Sequence, residues 1–126
     1  MYLLDTHIVF WALMDSQRLR AHHRALLSQQ NVVFFVSAVT GWEIAAKVRL
    51  GKWAEAAPLV PGLAAAIDTA GFRQLSLTLD QAEMAGSFDS AHKNPFDRLL
   101  AAQAIDRCFT LLTVDPVFSE FGCIVL

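Results

Sequence analysis

NPFDRLLAAQAIDRC, residues 94–108, has the sequence features of a helix with a sharply defined start. Asn94 can cap the helix through its side chain, and Pro95 takes the first helical position, where a missing backbone N–H is not needed. Asp97 falls third, where free backbone donors and the helix dipole favour an anion. The stretch therefore predicts a helix that holds a carboxylate in its first turn.

The helical face that carries Asp97 is otherwise made of small, apolar residues. Three of them follow at helical spacing: Ala101, Ala104 and Cys108. Such a face suits burial, so we expect the carboxylate to lie at the rim of the interior. No basic residue stands three or four positions from Asp97 on the helix. We therefore expect its partners to be other acids, with a cation between them.

Outside this helix, the chain alternates between short apolar runs and helical patterns. The predicted strands are residues 2–4, 32–37, 72–77, 110–114 and 122–126. The other predicted helices are residues 7–14, 17–30, a helix from Ser37 or Thr40 to Leu50, 58–70 and 79–85. The run VVFFVS is typical of a strand covered on both faces. The alternation predicts an α/β fold with a parallel sheet of four to five short strands and helices on both faces.

Length and composition narrow the class of protein. A chain of 126 residues predicts one domain, residues 1–126. Hydrophobic residues make up 55% and charged residues 17%, which suggests that another chain covers part of the surface. No apolar run could span a bilayer, and Asp5 and His7 interrupt the opening apolar stretch, so we expect no signal peptide, no membrane contact and a cytoplasmic location. Cys108 and Cys123 match no metal-ligand spacing and are expected to be small buried side chains.

Four acids stand where a parallel sheet would bring them to one edge. Asp5 and Asp115 each end a predicted strand. Asp97 begins a helix, and Glu43 lies early in the helix after VVFFVS. In open α/β sheets, sites form beyond the carboxyl ends of the strands, where the strand order reverses. Four carboxylates repel one another unless a cation intervenes, and an all-oxygen ligand set favours Mg²⁺ or Mn²⁺, whose chemistry on a phosphodiester is that of a nuclease.

The overall charge argues against a simple basic nucleic-acid binder, because the net charge is −2 at pH 7. The four acids account for that sign. Twelve acids minus these four leave eight against ten Lys and Arg, a balance of +2. The remaining surface could therefore attract an anionic substrate once an ion neutralises the acids.

Four segments, in order through nearly the whole chain, carry a family resemblance. They are LLDTH at 3–7, VSAVTGWEIAAKVRLGK at 36–52, HKNPFDRLLAAQA at 92–104 and LLTVD at 111–115. Together they resemble the PIN-domain ribonucleases, in particular the VapC-type toxins of bacterial and archaeal toxin–antitoxin pairs. The resemblance implies a three-layer α/β/α sandwich, Mg²⁺- or Mn²⁺-dependent endonucleolytic cleavage of RNA, a cognate antitoxin and usually a homodimer.

By position, the resemblance implies catalytic and metal-binding roles for four acids: Asp5, Glu43, Asp97 and Asp115. It places Thr6 and Thr113 as flanking hydroxyls near the substrate. Lys47 belongs to the clearest basic stretch near a proposed acid and could reach a phosphate. The chain departs from the family pattern at Asn94, where many relatives have a further acid, and at Val114, where a polar or basic residue is frequent. Both departures concern substrate contacts and leave the four acids intact.

Each of these acids also has an ordinary structural reading. Asp97 could only cap its helix, and Glu43 could pair with Lys47 four residues on. Asp5 and Asp115 could begin turns. The four readings would have to coincide to explain the whole pattern.

The histidines and tryptophans near the motifs are expected to be structural. His7 and His92 lie beside an apolar strand or helix, where a hydrogen-bonded structural histidine is the commoner case. Trp11, Trp42 and Trp53 could stack on bases, but their helical spacing favours core or interface packing. We therefore place both histidines outside the predicted site.

Other α/β classes fit the sequence less well. A phosphatase of the aspartyl-phosphate type needs a second acid two residues after the first strand's Asp, where this chain has His7. A receiver-like signalling domain needs an adjacent pair of acids early in the chain beside a phosphoacceptor Asp at the end of a central strand, and no such adjacent pair is present. A non-catalytic PIN-like module that binds RNA or a protein stays open, because intact acids are necessary for cleavage without being sufficient.

Overall fold

The centre of the fold is a sheet of four parallel strands. The computed structural model describes residues 1–126. The strands are β1 (Tyr2–Leu4), β2 (Phe34–Ser37), β3 (Arg73–Leu75) and β4 (Thr110–Leu112), in the order β3-β2-β1-β4. Leu3 of β1 lies opposite Phe35 of β2 on one side and Leu111 of β4 on the other. The chain moves outward from β1 to β3 and then returns to β4, so the strand order reverses between β1 and β4.

Seven α-helices and one 3₁₀-helix surround the sheet. The α-helices are α1 (Thr6–Leu13), α2 (Ala21–Leu27), α3 (Ala38–Arg49), α4 (Leu63–Thr69), α5 (Leu79–Ser87), α6 (Pro95–Arg107) and α7 (Val117–Glu120). The 3₁₀-helix spans Ala54–Leu59. None of these helices combines the length and the apolar character that crossing a bilayer would require.

Alternate residues of the central strands enter two separate cores. One core joins β1 and β4 to α6 through Leu3, Leu100, Ala101, Ala104 and Leu111. The other joins them to α1 and α4 through Leu4, Ile8, Val9, Ile67 and Leu112. Because neighbouring residues of a strand point to opposite faces, both faces of the sheet are covered. This confirms the predicted three-layer α/β/α sandwich, with four strands in the parallel sheet.

The start of α6 agrees with the sequence. The Asn94 side-chain oxygen accepts hydrogen bonds from the Phe96 and Asp97 amides, at 2.9 and 3.3 Å. Pro95 is the first residue of the helix. The end of α6 corrects an expectation, because Cys108 is exposed. It stops the helix in the left-handed conformation, with φ at 55°, and so lies outside the buried face that begins at Asp97.

The helix predicted for residues 17–30 begins only at Ala21, so that its first turn was predicted wrongly. Ser16 does not cap a helix but supports a turn. Its hydroxyl accepts from the Arg18 amide, and its carbonyl accepts from the Leu19 amide. The turn buries Leu19 in the core and delays the helix.

The helix predicted for residues 58–70 is also shorter, since α4 starts at Leu63. Gly62 precedes it with φ at 111°, a left-handed conformation that interrupts any helix from Pro58. Pro58 instead belongs to the 3₁₀-helix, which the sequence did not predict.

The last predicted strand, residues 122–126, is reduced to a single bridge between Leu111 and Val125. The Thr113 amide donates to the Leu126 carbonyl, and so does the buried His23 ring, at 2.7 Å. These bonds fix the segment beside β4 without making it a strand. The short helix α7 before it was not predicted.

Candidate active site

A cleft of about 470 Å³ opens at the carboxyl ends of β1 and β4, where the strand order reverses. Its lining is unusually polar and includes all four acids predicted from the sequence. The lining residues are Asp5, His7, Trp11, Glu43, Lys47, Asn94, Asp97, Val114, Asp115 and Pro116. The acids come from four separate parts of the chain, so only the fold brings them together.

Asp5 is buried and follows β1 directly. One of its oxygens accepts from the Thr6 amide and the other from the Thr113 hydroxyl, both at 2.7 Å. The pKa of Asp5 is raised to about 6, mainly by burial; the two hydrogen bonds act against the rise, and the charges of Asp97 and Glu43 add a smaller part to it. The carboxylates are therefore close enough to repel one another.

Glu43 projects from the second turn of α3 and is buried. One of its oxygens accepts from the Thr6 hydroxyl at 2.7 Å, and the other accepts from the Lys47 ammonium group at 2.6 Å. The Lys47 pairing anticipated as a structural reading is thus present. It places a cation at the cleft, because Lys47 is only partly buried and also lines the cavity.

Thr6 and Thr113 were predicted to contact substrate, but both are buried and neither lines the cleft. Their hydroxyls bind carboxylates from different elements. Thr6, the first residue of α1, donates to Glu43, and Thr113, the residue after β4, donates to Asp5. We therefore regard both threonines as positioning residues for the acids.

Asp97 lies in the first turn of α6, partly buried at the rim as expected. One of its oxygens bonds the His92 ring nitrogen Nε2 at 2.8 Å. Burial raises the pKa of Asp97, and the nearby charges of Glu43 and Asp115 add to the rise, while His92 opposes it. The histidine gives Asp97 the partner that its own helix lacks.

The sequence analysis placed His7 and His92 outside the site, but His7 lines the cleft and His92 contacts its Asp97. His92 stands five residues before Asp97, just ahead of the helix start, and that proximity was the available signal. His7 lies in the first turn of α1, two residues after Asp5, and its ring is exposed at the cleft. Partial burial lowers the pKa of His7, and the charge of Lys47 lowers it further.

Asp115 is the most exposed of the four acids. One of its oxygens accepts from the Val117 amide at 3.0 Å, so it also fixes the start of α7. Its own amide donates to the Thr113 hydroxyl at 3.0 Å, which connects it to the Asp5 network. The prediction that Asp115 could begin a turn is therefore correct, and the same residue also lines the cleft.

The four acids of the cleft offer only carboxylate oxygens, and these are the ligand atoms that hard divalent cations such as Mg²⁺ prefer. Burial and, to a smaller extent, the neighbouring carboxylates raise the pKa values of Asp5 and Asp97, and a bound cation would stabilise the charged form of both acids. No three His, Cys, Asp or Glu side chains are placed as a ready-made metal site. Glu43 and Asp97 each direct an oxygen to a basic side chain instead. A metal would compete with Lys47 and His92 for these oxygens.

Comparison with solved structures gives close agreement in fold at low sequence identity. VapBC2 from Rickettsia felis, bound to a promoter DNA fragment, aligns with a TM-score of 0.69 at 18% identity, covering 99% of this chain and 96% of that one. A toxin–antitoxin complex from Klebsiella pneumoniae gives 0.67 at 16%, covering 100% and 96%. VapC20 from Mycobacterium tuberculosis, described as a toxin that cleaves the sarcin–ricin loop, gives 0.64 at 22%, covering 98% and 97%.

Comparison with curated proteins by sequence gives no significant match. A family model nevertheless matches almost the whole chain, from residue 2 to residue 122, and its description is PIN domain. The match includes β1 through α7 and all four acids of the cleft. On this ground, the chain belongs to the PIN domain family.

Proposed function

We propose that this protein is a metal-dependent endoribonuclease that acts as the toxin of a toxin–antitoxin pair. The observation that carries the proposal is the convergence of four acids in one cleft at the point where the strand order reverses. The solved structure of VapC20, whose fold this chain shares, is described as an RNA-loop-cleaving toxin. We also propose a cytoplasmic location, where RNA and the antitoxin would both be available.

Asp5 and Asp97 would be the principal ligands of Mg²⁺ or Mn²⁺, and Glu43 and Asp115 would complete the site directly or through water. When bound, such an ion lowers the pKa of a water and stabilises the oxygens of a phosphodiester during attack. The protein's own part is to hold the carboxylates in place. Thr113 fixes Asp5 through its hydroxyl.

Lys47 is the residue that we propose for binding substrate phosphate. Its ammonium group lies at the cleft and is held by a Glu43 oxygen that a metal would also use. Once that oxygen is shared, the ammonium group is free to contact a phosphate oxygen. The carboxylates would then hold the metal ion, and the Lys47 ammonium group would contact the negatively charged phosphate of the bound RNA.

The proposed cleavage is tested with the purified chain, single-stranded RNA and either Mn²⁺ or EDTA. We expect internal cleavage with the ion, none in EDTA, and recovery when excess Mn²⁺ is added back. Products resolved on a denaturing gel give the measurement. Cleavage that continues unchanged in EDTA would contradict the proposed metal dependence. RNA binding without cleavage under every metal condition would instead favour the non-catalytic module.

A homodimer and an antitoxin are the protein partners that we propose. Several large apolar side chains are exposed, among them Trp42 at 63%, Leu79 at 85% and Ile124 at 69%. Such residues suggest surfaces that another chain covers. The structural relative from K. pneumoniae is itself a toxin–antitoxin complex.

We expect the isolated chain to sediment as a dimer at micromolar concentration and its expression alone to slow cell growth. Analytical ultracentrifugation and growth curves measure the two effects. A monodisperse monomer would count against the dimer. Normal growth while the active chain accumulates would count against the toxin role.

A further inference from the structure

The cleft is bordered by an aromatic wall, which we define as His7, Trp11 and Trp53. Trp53 packs against the His7 ring but does not itself line the cleft. His7 and Trp11 stand one turn apart on α1, and both line the cleft. The centroid of the His7 ring lies 5.0 Å from that of Trp53 and 5.7 Å from that of Trp11. The His7 ring therefore packs against both tryptophans, tilted by 36° to Trp53 and by 51° to Trp11.

The aromatic wall is supported from behind and open in front. The Trp53 ring packs on Phe10 at 4.9 Å between centroids. Trp11 and Trp53 both contact the small core that contains Ile44. His7, in contrast, is exposed, and Trp11 is only partly buried. The rings are thus held in place before any ligand arrives, which reduces the entropy lost on binding.

A cation joins the aromatic wall to the acids. The Lys47 ammonium nitrogen lies 5.8 Å from the centroid of the Trp53 ring and 2.6 Å from a Glu43 oxygen. The lining of the cleft therefore combines the His7 and Trp11 rings, the Lys47 ammonium group and the carboxylates. Aromatic faces beside a basic side chain are the combination that binds single-stranded nucleic acids, by stacking on bases and pairing with phosphates.

We infer that the aromatic wall binds one unpaired base next to the bond that is cut, and that His7 supplies the ring on which this base stacks. The identity of the nucleic acid in this inference rests on the proposed function. A base within a duplex is already stacked and cannot offer its face to the protein. Because His7 follows Asp5 by two residues, a base on its ring would bring a neighbouring phosphate to the acids.

Trp42 provides a matched comparison for the wall. It is 63% exposed and meets Phe96 edge-on at 5.3 Å between centroids, but it does not line the cleft. A base-binding role assigned from exposure alone would select Trp42. We choose His7 and Trp11 instead because they line the cleft together with the acids.

The test compares His7→Ala, His7→Phe and Trp42→Leu with the wild type. Each protein is assayed for KM and kcat on a single-stranded RNA and for binding to the same RNA by fluorescence anisotropy. We expect His7→Ala to raise KM and weaken binding roughly 5- to 100-fold, the effect of losing one stacked base. His7→Phe keeps a ring and should restore binding, and Trp42→Leu should bind RNA like the wild type.

A series of RNAs with one abasic site at successive positions identifies the stacked base. At one position, the abasic RNA should bind the wild type as weakly as intact RNA binds His7→Ala, with little further loss in the variant. Metal-dependent cleavage by the wild type with no change in His7→Ala would overturn the inference alone. A loss confined to Trp42→Leu would do the same and place the base outside the cleft. Neither binding nor cleavage of RNA by the wild type would overturn the inference and the proposed function together.

Discussion

Replacing Asp5 by asparagine should lower the rate of RNA cleavage at least about 100-fold, because even residues that only support a metal ligand are usually worth 10- to 100-fold. Asp5 ends the central strand β1 and is held by the Thr6 amide and the Thr113 hydroxyl. Asparagine keeps the shape and one oxygen, so the position of the side chain is retained. What is lost is the negative charge of a buried carboxylate in the cleft.

The effect of Asp5→Asn is measured by single-turnover cleavage with saturating Mn²⁺, so that product release does not mask the chemical step. Asp68→Asn is the matched control, since Asp68 is exposed on α4 and does not line the cleft. It should cleave like the wild type. An Asp5→Asn protein that is folded and retains most of the wild-type rate would show that this carboxylate is not part of the active site.

The same substitution should stabilise the protein when no metal is present. The pKa of Asp5 is raised from 3.8 to about 6, so ionising it in the folded state costs up to about 3 kcal/mol at neutral pH. Asparagine carries no charge and is as good a helix cap as aspartate. We expect Asp5→Asn to raise the free energy of unfolding in EDTA by about 1–3 kcal/mol, with the upper value set by the pKa shift.

The sign of this effect can be checked by changing the pH. The folded protein keeps the Asp5 proton up to pH of about 6, whereas the unfolded chain loses it near 3.8. Wild-type stability should therefore fall as the pH rises through this window, owing to Asp5. The advantage of Asp5→Asn should be largest above pH of about 6 and should shrink as the pH approaches about 4. Urea denaturation at several pH values gives the measurement.

When Mn²⁺ is bound, the order of stability should reverse, with the wild type more stable than Asp5→Asn. An ion that binds only the folded state adds about 2.7 kcal/mol at a concentration 100 times its dissociation constant. Mn²⁺ should therefore raise the melting temperature of the wild type and of Asp68→Asn, and much less that of Asp5→Asn. If all three proteins gain equally from Mn²⁺, the ion binds elsewhere. If Asp5→Asn melts no higher than the wild type in EDTA, the charge of Asp5 does not destabilise the folded protein.

The positions of the acids could be read from sequence because they depend on local signals. Asp5 follows an apolar run that becomes β1, and Asp97 lies behind the Asn94 cap that the structure confirms. The alternation of strands and helices was enough to predict that the carboxyl ends of parallel strands would meet. The element bounds were less predictable, since a left-handed residue such as Gly62 ends a helical pattern without changing its apolar periodicity.

The partners of the acids were decided only by the tertiary structure. Thr113 reaches Asp5 across 108 positions, and Thr6 reaches Glu43 across 37. No local pattern encodes such contacts, because they depend on which strands become neighbours. The same holds for the aromatic wall, where packing between α1 and a distant loop sets the His7 ring on Trp53. The sequence by itself determined which acids lie at the edge of the sheet, and the packing of its layers decided which hydroxyls, cations and rings surround them.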